Sequence, residues 1–147
     1  MIRAAAAGAA EAGGAVQARV VHAEEAGADD LLAAAGYVFA TPENLAAISG
    51  LMKHFFDRTY YAVLDRIVAR PYASLICAGS DGANAARQIE RIATGWRLKP
   101  IADPLIVCTH AQTPEAILRP KHIGEADLLR CRELGATLAS GVELGIF

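Results

Sequence analysis

The chain has 147 residues, 54% of them hydrophobic and 20% charged, with a net charge of −2 at neutral pH and a mean hydropathy of +0.28. That length suits one domain, and the apolar content excludes disorder and favours a strongly buried sheet. The near-neutral charge gives no basic face for nucleic acid or an anionic membrane, and no run of about 18 apolar residues occurs. Cys77, Cys108 and Cys131 form no CxxC pair, and two of them sit in apolar runs. They are expected to be buried thiols of a protein in a reducing, cytoplasmic compartment.

Residues 2–12 are dominated by alanine and precede paired glycines, which predicts a helix ending near Ala12. Residues 16–22 (VQARVVH) alternate apolar and polar side chains and read as the first strand. Asp29 and Asp30 ahead of Leu31 and Leu32 suit a short capped helix within residues 23–35.

The stretch GYVFATPENLAAISGLMKHFFDRTYY (36–61) follows. It reads as a short apolar strand over residues 37–40, a turn opened by Thr41 and Pro42, and an amphipathic helix burying Leu51, Met52, Phe55 and Phe56. In parallel α/β sheets ligands lie just beyond the carboxyl ends of the strands, which is where Thr41, Pro42, Glu43 and Asn44 fall. The helix continues or is followed through residues 63–69, and Arg70-Pro71 closes it.

An apolar strand over residues 72–78 leads into the Gly79-Ser80-Asp81-Gly82 turn. Residues 83–94 form a helix ended by Gly95, with Asn84 as its expected cap. One strand is expected within residues 99–108, one helical turn around Pro114–Leu118, and a last helix over residues 125–141 burying Leu128, Leu129, Leu134 and Leu138. Trp96 is assigned to packing, and Lys53, Asp57 and Arg58 to one helical face. The four histidines have no metal-ligand spacing, although His110 sits just past a strand end. Helices alternate with strands throughout, so right-handed crossovers give a parallel sheet covered on both faces.

Two segments, residues 36–61 and residues 70–117, resemble the flavodoxin-like flavoproteins, in particular the NAD(P)H-dependent FMN reductase and quinone reductase branch. The first carries Thr41, Pro42, Glu43 and Asn44, then Ser49, Gly50, Lys53, Phe55, Asp57 and Arg58. The second carries the Gly79–Gly82 turn. The resemblance implies an α/β flavodoxin-like three-layer sandwich with a parallel sheet, and a flavin ring held between the two loops by Thr41, Pro42, Glu43, Asn44, Leu45, Gly79, Ser80, Asp81 and Gly82. It implies FMN as cofactor, NAD(P)H as co-substrate, a small acceptor such as a quinone or flavin, and a homo-oligomer. No catalytic side chain is required, since main-chain amides would stabilise charge on the reduced ring. A flavodoxin-type electron carrier and a flavin-free interaction domain are the alternatives.

The family's first strand and its hydroxyl-rich phosphate loop have no counterpart here, because the sequence starts inside what would be the first helix. Met1 is accordingly expected to be an internal methionine. A central strand of that kind contributes about 6–12 kcal/mol through roughly four buried side chains. Residues 16–22 and 37–40 are therefore expected to pair directly or to need a strand from elsewhere.

Overall fold

The structure, a computed structural model, describes residues 1–12 and 14–147. It contains α1 (Ile2–Glu11), α2 (Ala28–Ala33), β1 (Tyr37–Asn44), β2 (Ala47–Ile48), α3 (Gly50–Val63), β3 (Pro71–Ala78), α4 (Ala83–Gly95), β4 (Lys99–Pro100), β5 (Leu105–Cys108), α5 (Pro114–Leu118) and α6 (Glu125–Glu143). β3 is the hub of the sheet: β1 runs parallel to it from Tyr37↔Tyr72 to Pro42↔Cys77, and β4 and β5 pair with it, also in parallel.

Side chains alternate across these strands and so feed two cores. Tyr37 and Phe39 of β1 and Ile76 of β3 point toward α3 and α4, where they meet Met52, Phe55, Phe56, Ile89 and Trp96. Trp96 is fully buried, its ring nitrogen donates to the Tyr60 carbonyl at 3.0 Å, and Tyr60 stacks on it with centroids 5.6 Å apart. On the other face Leu75, Leu105 and Val107 meet Ala5 of α1 and Cys131 of α6, with Val38 and Ala40 packed alongside. This is the three-layer arrangement expected.

The α1–α6 contact is made by main chain as much as by side chains. A Cβ at Gly8 would lie 1.9 Å from the Arg132 carbonyl oxygen, and one at Gly135 would lie 1.9 Å from that of Ala5. The alanine run of α1 therefore serves close approach as well as helix propensity.

Several expectations are corrected. Residues 16–22 form no strand: among the described residues no strand pairs with them, and alternation makes a strand only where a neighbour takes up its main-chain groups. β1 continues through Thr41 and Pro42 to Asn44 before it turns. Residues 64–69 are turns, with Asp65 and Ala69 at positive φ, so α3 ends at Val63. The strand expected within residues 99–108 is β5, and a two-residue strand that was not expected, β4, precedes it. Leu51 and Leu129 are exposed, and α6 buries Cys131, Gly135, Leu138, Ala139 and Gly141 because α1 needs small residues opposite it. Cys77 and Cys108 are half-buried, since they sit at strand ends rather than mid-sheet.

α2 is held at both ends. Asp30 accepts from the Gly27 N–H at 2.7 Å, and the Arg70 guanidinium donates to the carbonyls of Leu31, Leu32 and Ala34 and contacts the Tyr37 hydroxyl. No helix among the described residues is long and apolar enough to cross a membrane.

Candidate functional site

The carboxyl ends of β1, β3 and β5 come together at one edge of the sheet. β1 turns at Leu45 and Ala46 into β2, with Glu43 opposite Ile48 and Asn44 opposite Ala47. Both turn residues have positive φ, 51° and 60°. A two-residue hairpin asks for that geometry, but glycine or asparagine adopts it at much lower cost than leucine or alanine. Leu45 is fully exposed at the tip.

The hairpin is tied to α4 and to the turn before it. Glu43 Oε2 accepts the Gly82 N–H at 3.0 Å. The Asn84 side-chain amide donates to the Ala46 carbonyl at 2.5 Å, and Gln88 Oε1 accepts the Ile48 N–H at 3.1 Å. Asn84 is thus a strut between two loops rather than the helix cap; Gly82, at φ 79°, occupies the cap position. Its glycine is required twice over, because a Cβ there would also lie 2.6 Å from the Ile106 side chain.

Thr41 is buried, and its hydroxyl oxygen accepts the Ser49 N–H at 3.1 Å. Ser49 Oγ in turn caps α3 by accepting the Met52 N–H at 3.2 Å. Thr41 and Ser49 therefore fix where the hairpin leaves the sheet. Pro42, Asn44 and Leu45 are solvent-exposed at the rim. Across from them, Ser80 and Asp81 are exposed and Gly79 is half-exposed, and the Ser80 and Asp81 N–H groups meet no acceptor among the described residues.

A third wall comes from β5. Thr109 donates both its N–H and its hydroxyl to the Ala78 carbonyl, at 2.9 and 3.2 Å, and the Cys108 thiol approaches the Asp81 carbonyl at 3.7 Å. The Ala111 carbonyl lies 3.5 Å from where a Gly79 Cβ would sit. Burial pushes the Cys77 thiol up from its usual range, while the Met1 amine and Lys121 pull it partly back.

Of the nine ring-contact residues expected, the structure joins Glu43 directly to Gly82 and gathers the others on the two sides of that bond. Sequence reasoning missed Gln88, Thr109 and Ala111. Gln88 lies one helical turn after Asn84, and that polar pair at the start of α4 is the signal that would have found it. Tyr61 is exposed, and Lys53 and Asp57 form an exposed i,i+4 pair at 2.5 Å. Arg58 binds the carbonyls of Ala23 and Glu24.

A parallel sheet sandwiched by helices, with ligand-sized loops gathered at one carboxyl edge, defines the flavodoxin-like α/β class. Solved structures agree. A flavodoxin from the domain Archaea superposes with a TM-score of 0.73 at 18% identity, covering 95% of this chain and 86% of its own. A flavodoxin, WrbA-like protein from Agrobacterium tumefaciens gives 0.69 at 16% identity, covering 97% and 87%. An NADPH-quinone reductase from P. pentosaceus gives 0.54 at 16% identity, covering 74% and 71%. No curated protein matches the sequence. Residues 10–113, most of the chain, match the NADPH-dependent FMN reductase family, and the chain belongs to that family of flavin-binding oxidoreductases.

Proposed function

We propose that this protein binds FMN at the β1–β3 carboxyl edge and acts as an NAD(P)H-dependent reductase of a small acceptor such as a quinone or a free flavin. The observation that carries this reading is the Glu43–Gly82 hydrogen bond, which locks the two loops side by side where a planar ligand would be held. When bound, the flavin would supply acceptance of a hydride from the nicotinamide and its onward transfer.

The chain's own part is placement and electrostatics. The free N–H groups of Ser80 and Asp81 are donors for carbonyl and nitrogen positions on a ring edge, and they suit stabilisation of negative charge developing there. Leu45 and Pro42 supply apolar rim, while Thr41, Asn84 and Gln88 keep the hairpin from moving.

The test is NADPH oxidation followed at 340 nm with FMN and a soluble quinone, comparing the protein with Glu43→Ala and with Leu51→Ala, a change on the exposed face of α3. The proposal expects turnover that falls about tenfold or more in Glu43→Ala, the scale of one lost charge-assisted hydrogen bond, and is unchanged in Leu51→Ala. Absence of NADPH oxidation at saturating FMN would refute it.

A further inference from the structure

The tip of the β1–β2 hairpin is not held by its own sequence. Leu45 and Ala46 stand at φ 51° and 60°, in the left-handed region that costs each residue with a Cβ about as much as one hydrogen bond returns. Asn44, Leu45 and Ala46 are exposed, so no burial offsets that cost. β2 adds only two residue pairs, Glu43 with Ile48 and Asn44 with Ala47.

What opposes the strain comes from α4. The Asn84 amide donates to the Ala46 carbonyl at 2.5 Å and, one helical turn on, Gln88 Oε1 accepts the Ile48 N–H at 3.1 Å. The helix is a firm anchor, because Ala85, Ala86, Ile89 and Ala93 are buried and its cap residue Gly82 sits so close to Ile106, Ala78 and Ile76 that a Cβ would lie within 3.2 Å of all three. Backbone strain persists where the surroundings over-determine it, and that is typical of ligand contacts held by rigid elements.

We infer that Asn84 and Gln88 are positioning residues for the ligand of this edge: acting through the Ala46 carbonyl and the Ile48 N–H, they hold Leu45-Ala46 in a turn the pair would not keep alone, and so fix the exposed Leu45 side chain beside the Gly79–Gly82 turn as an apolar ring contact. The inference rests on the proposed flavin reading, in which Leu45 supplies apolar rim. The turn's geometry is imposed from α4, about forty residues away, so a turn whose own sequence favours that geometry makes the struts dispensable. Glycine at position 46 is such a change, and it leaves both the Leu45 side chain and the carbonyl at 46 in place.

Hydrogen exchange of the whole protein, read by NMR without flavin, and FMN titration test this together. Asn84→Ala should speed exchange of the amides of residues 43–48 about tenfold or more with those of β3 unchanged, and should weaken FMN binding about tenfold; Gln88→Ala should act in the same direction. Adding Ala46→Gly to Asn84→Ala should restore both, which a strut serving only general stability would not show. Leu45→Ala should weaken FMN binding while leaving hairpin exchange as in the parent. The inference is overturned if Asn84→Ala leaves hairpin exchange unchanged, if Ala46→Gly fails to restore it, or if Asn84→Ala or Leu45→Ala binds FMN as tightly as the parent does. A parent that binds no FMN refutes the proposed function instead, and the exchange comparison, made without flavin, still upholds or overturns the role of Asn84 and Gln88.

Discussion

Replacing Gly8 by alanine sets two known effects against each other. In a helix interior alanine is better than glycine by about 1 kcal/mol, so propensity alone predicts a more stable protein. In the fold, however, the new Cβ would lie 1.9 Å from the Arg132 carbonyl oxygen, while ordinary contact begins near 3.4 Å. The neighbour is backbone, which has no rotamer to change. The helices must separate by roughly 1.5 Å at a contact that buries Ala5 and Cys131, and overpacking of this kind costs about 1–3 kcal/mol or more. Gly135→Ala meets the Ala5 carbonyl in the same way. Packing wins, and both variants should lose about 1–2 kcal/mol net in urea unfolding. Gly50→Ala, with nothing within 4 Å of its Cβ, is the control and should be neutral or slightly stabilising. A Gly8→Ala protein as stable as the parent, or more so, would refute main-chain contact between α1 and α6.

Leu45→Asn with Ala46→Gly relieves two unfavourable positive-φ residues and should stabilise by about 1–2 kcal/mol, read as a raised urea midpoint. Arg70→Met leaves the α2 carbonyls without donors and should destabilise by about 2–3 kcal/mol in the same assay, with Arg70→Lys intermediate. On the acid side, the Gly27 N–H and Arg19 lower the Asp30 pKa, and hydrogen bonding and charge from Arg132 lower that of Glu11. A lowered native pKa gives stability that is present above the unfolded value and lost as pH falls through the native one. Thermal midpoints should therefore hold above the ordinary carboxylate range and decline below it, and less steeply in Asp30→Asn. The raised thiol pKa values of Cys77 and Cys131 predict slow alkylation at neutral pH, measurable by intact mass.

The elements that sequence reading located best are those whose periodicity and caps agree. α4 has its apolar stripe and glycine-bounded ends, and α5 has Pro114 at its start with the Thr113 oxygen capping it. β3 was legible because a wholly apolar run between turn residues has few other uses. Residues 16–22 were misread because alternation is a local signal, whereas a strand is a pairing, and no sequence window contains the partner. The β1 end was misplaced because Thr-Pro looks like a turn in isolation, yet proline is tolerated on an edge where no N–H is called for. The hairpin itself was hidden: Leu45-Ala46 lacks the Asn-Gly signature, and the bonds that hold it come from residues about forty positions away. The α6 stripe was legible only in part: Leu138 is buried and Leu134 packs on the core, but Leu129 is exposed, because leucine spacing was weighed above the small residues that α1 selects.

We propose that the ends of β1 and β3 form one flavin-ring site. It is tested most directly by FMN titration of the protein followed by amide NMR. Quenched flavin fluorescence, with chemical-shift changes concentrated at residues 43–46 and 79–82, is the predicted result. Binding whose shifts lie elsewhere, or no binding at millimolar FMN, would contradict it.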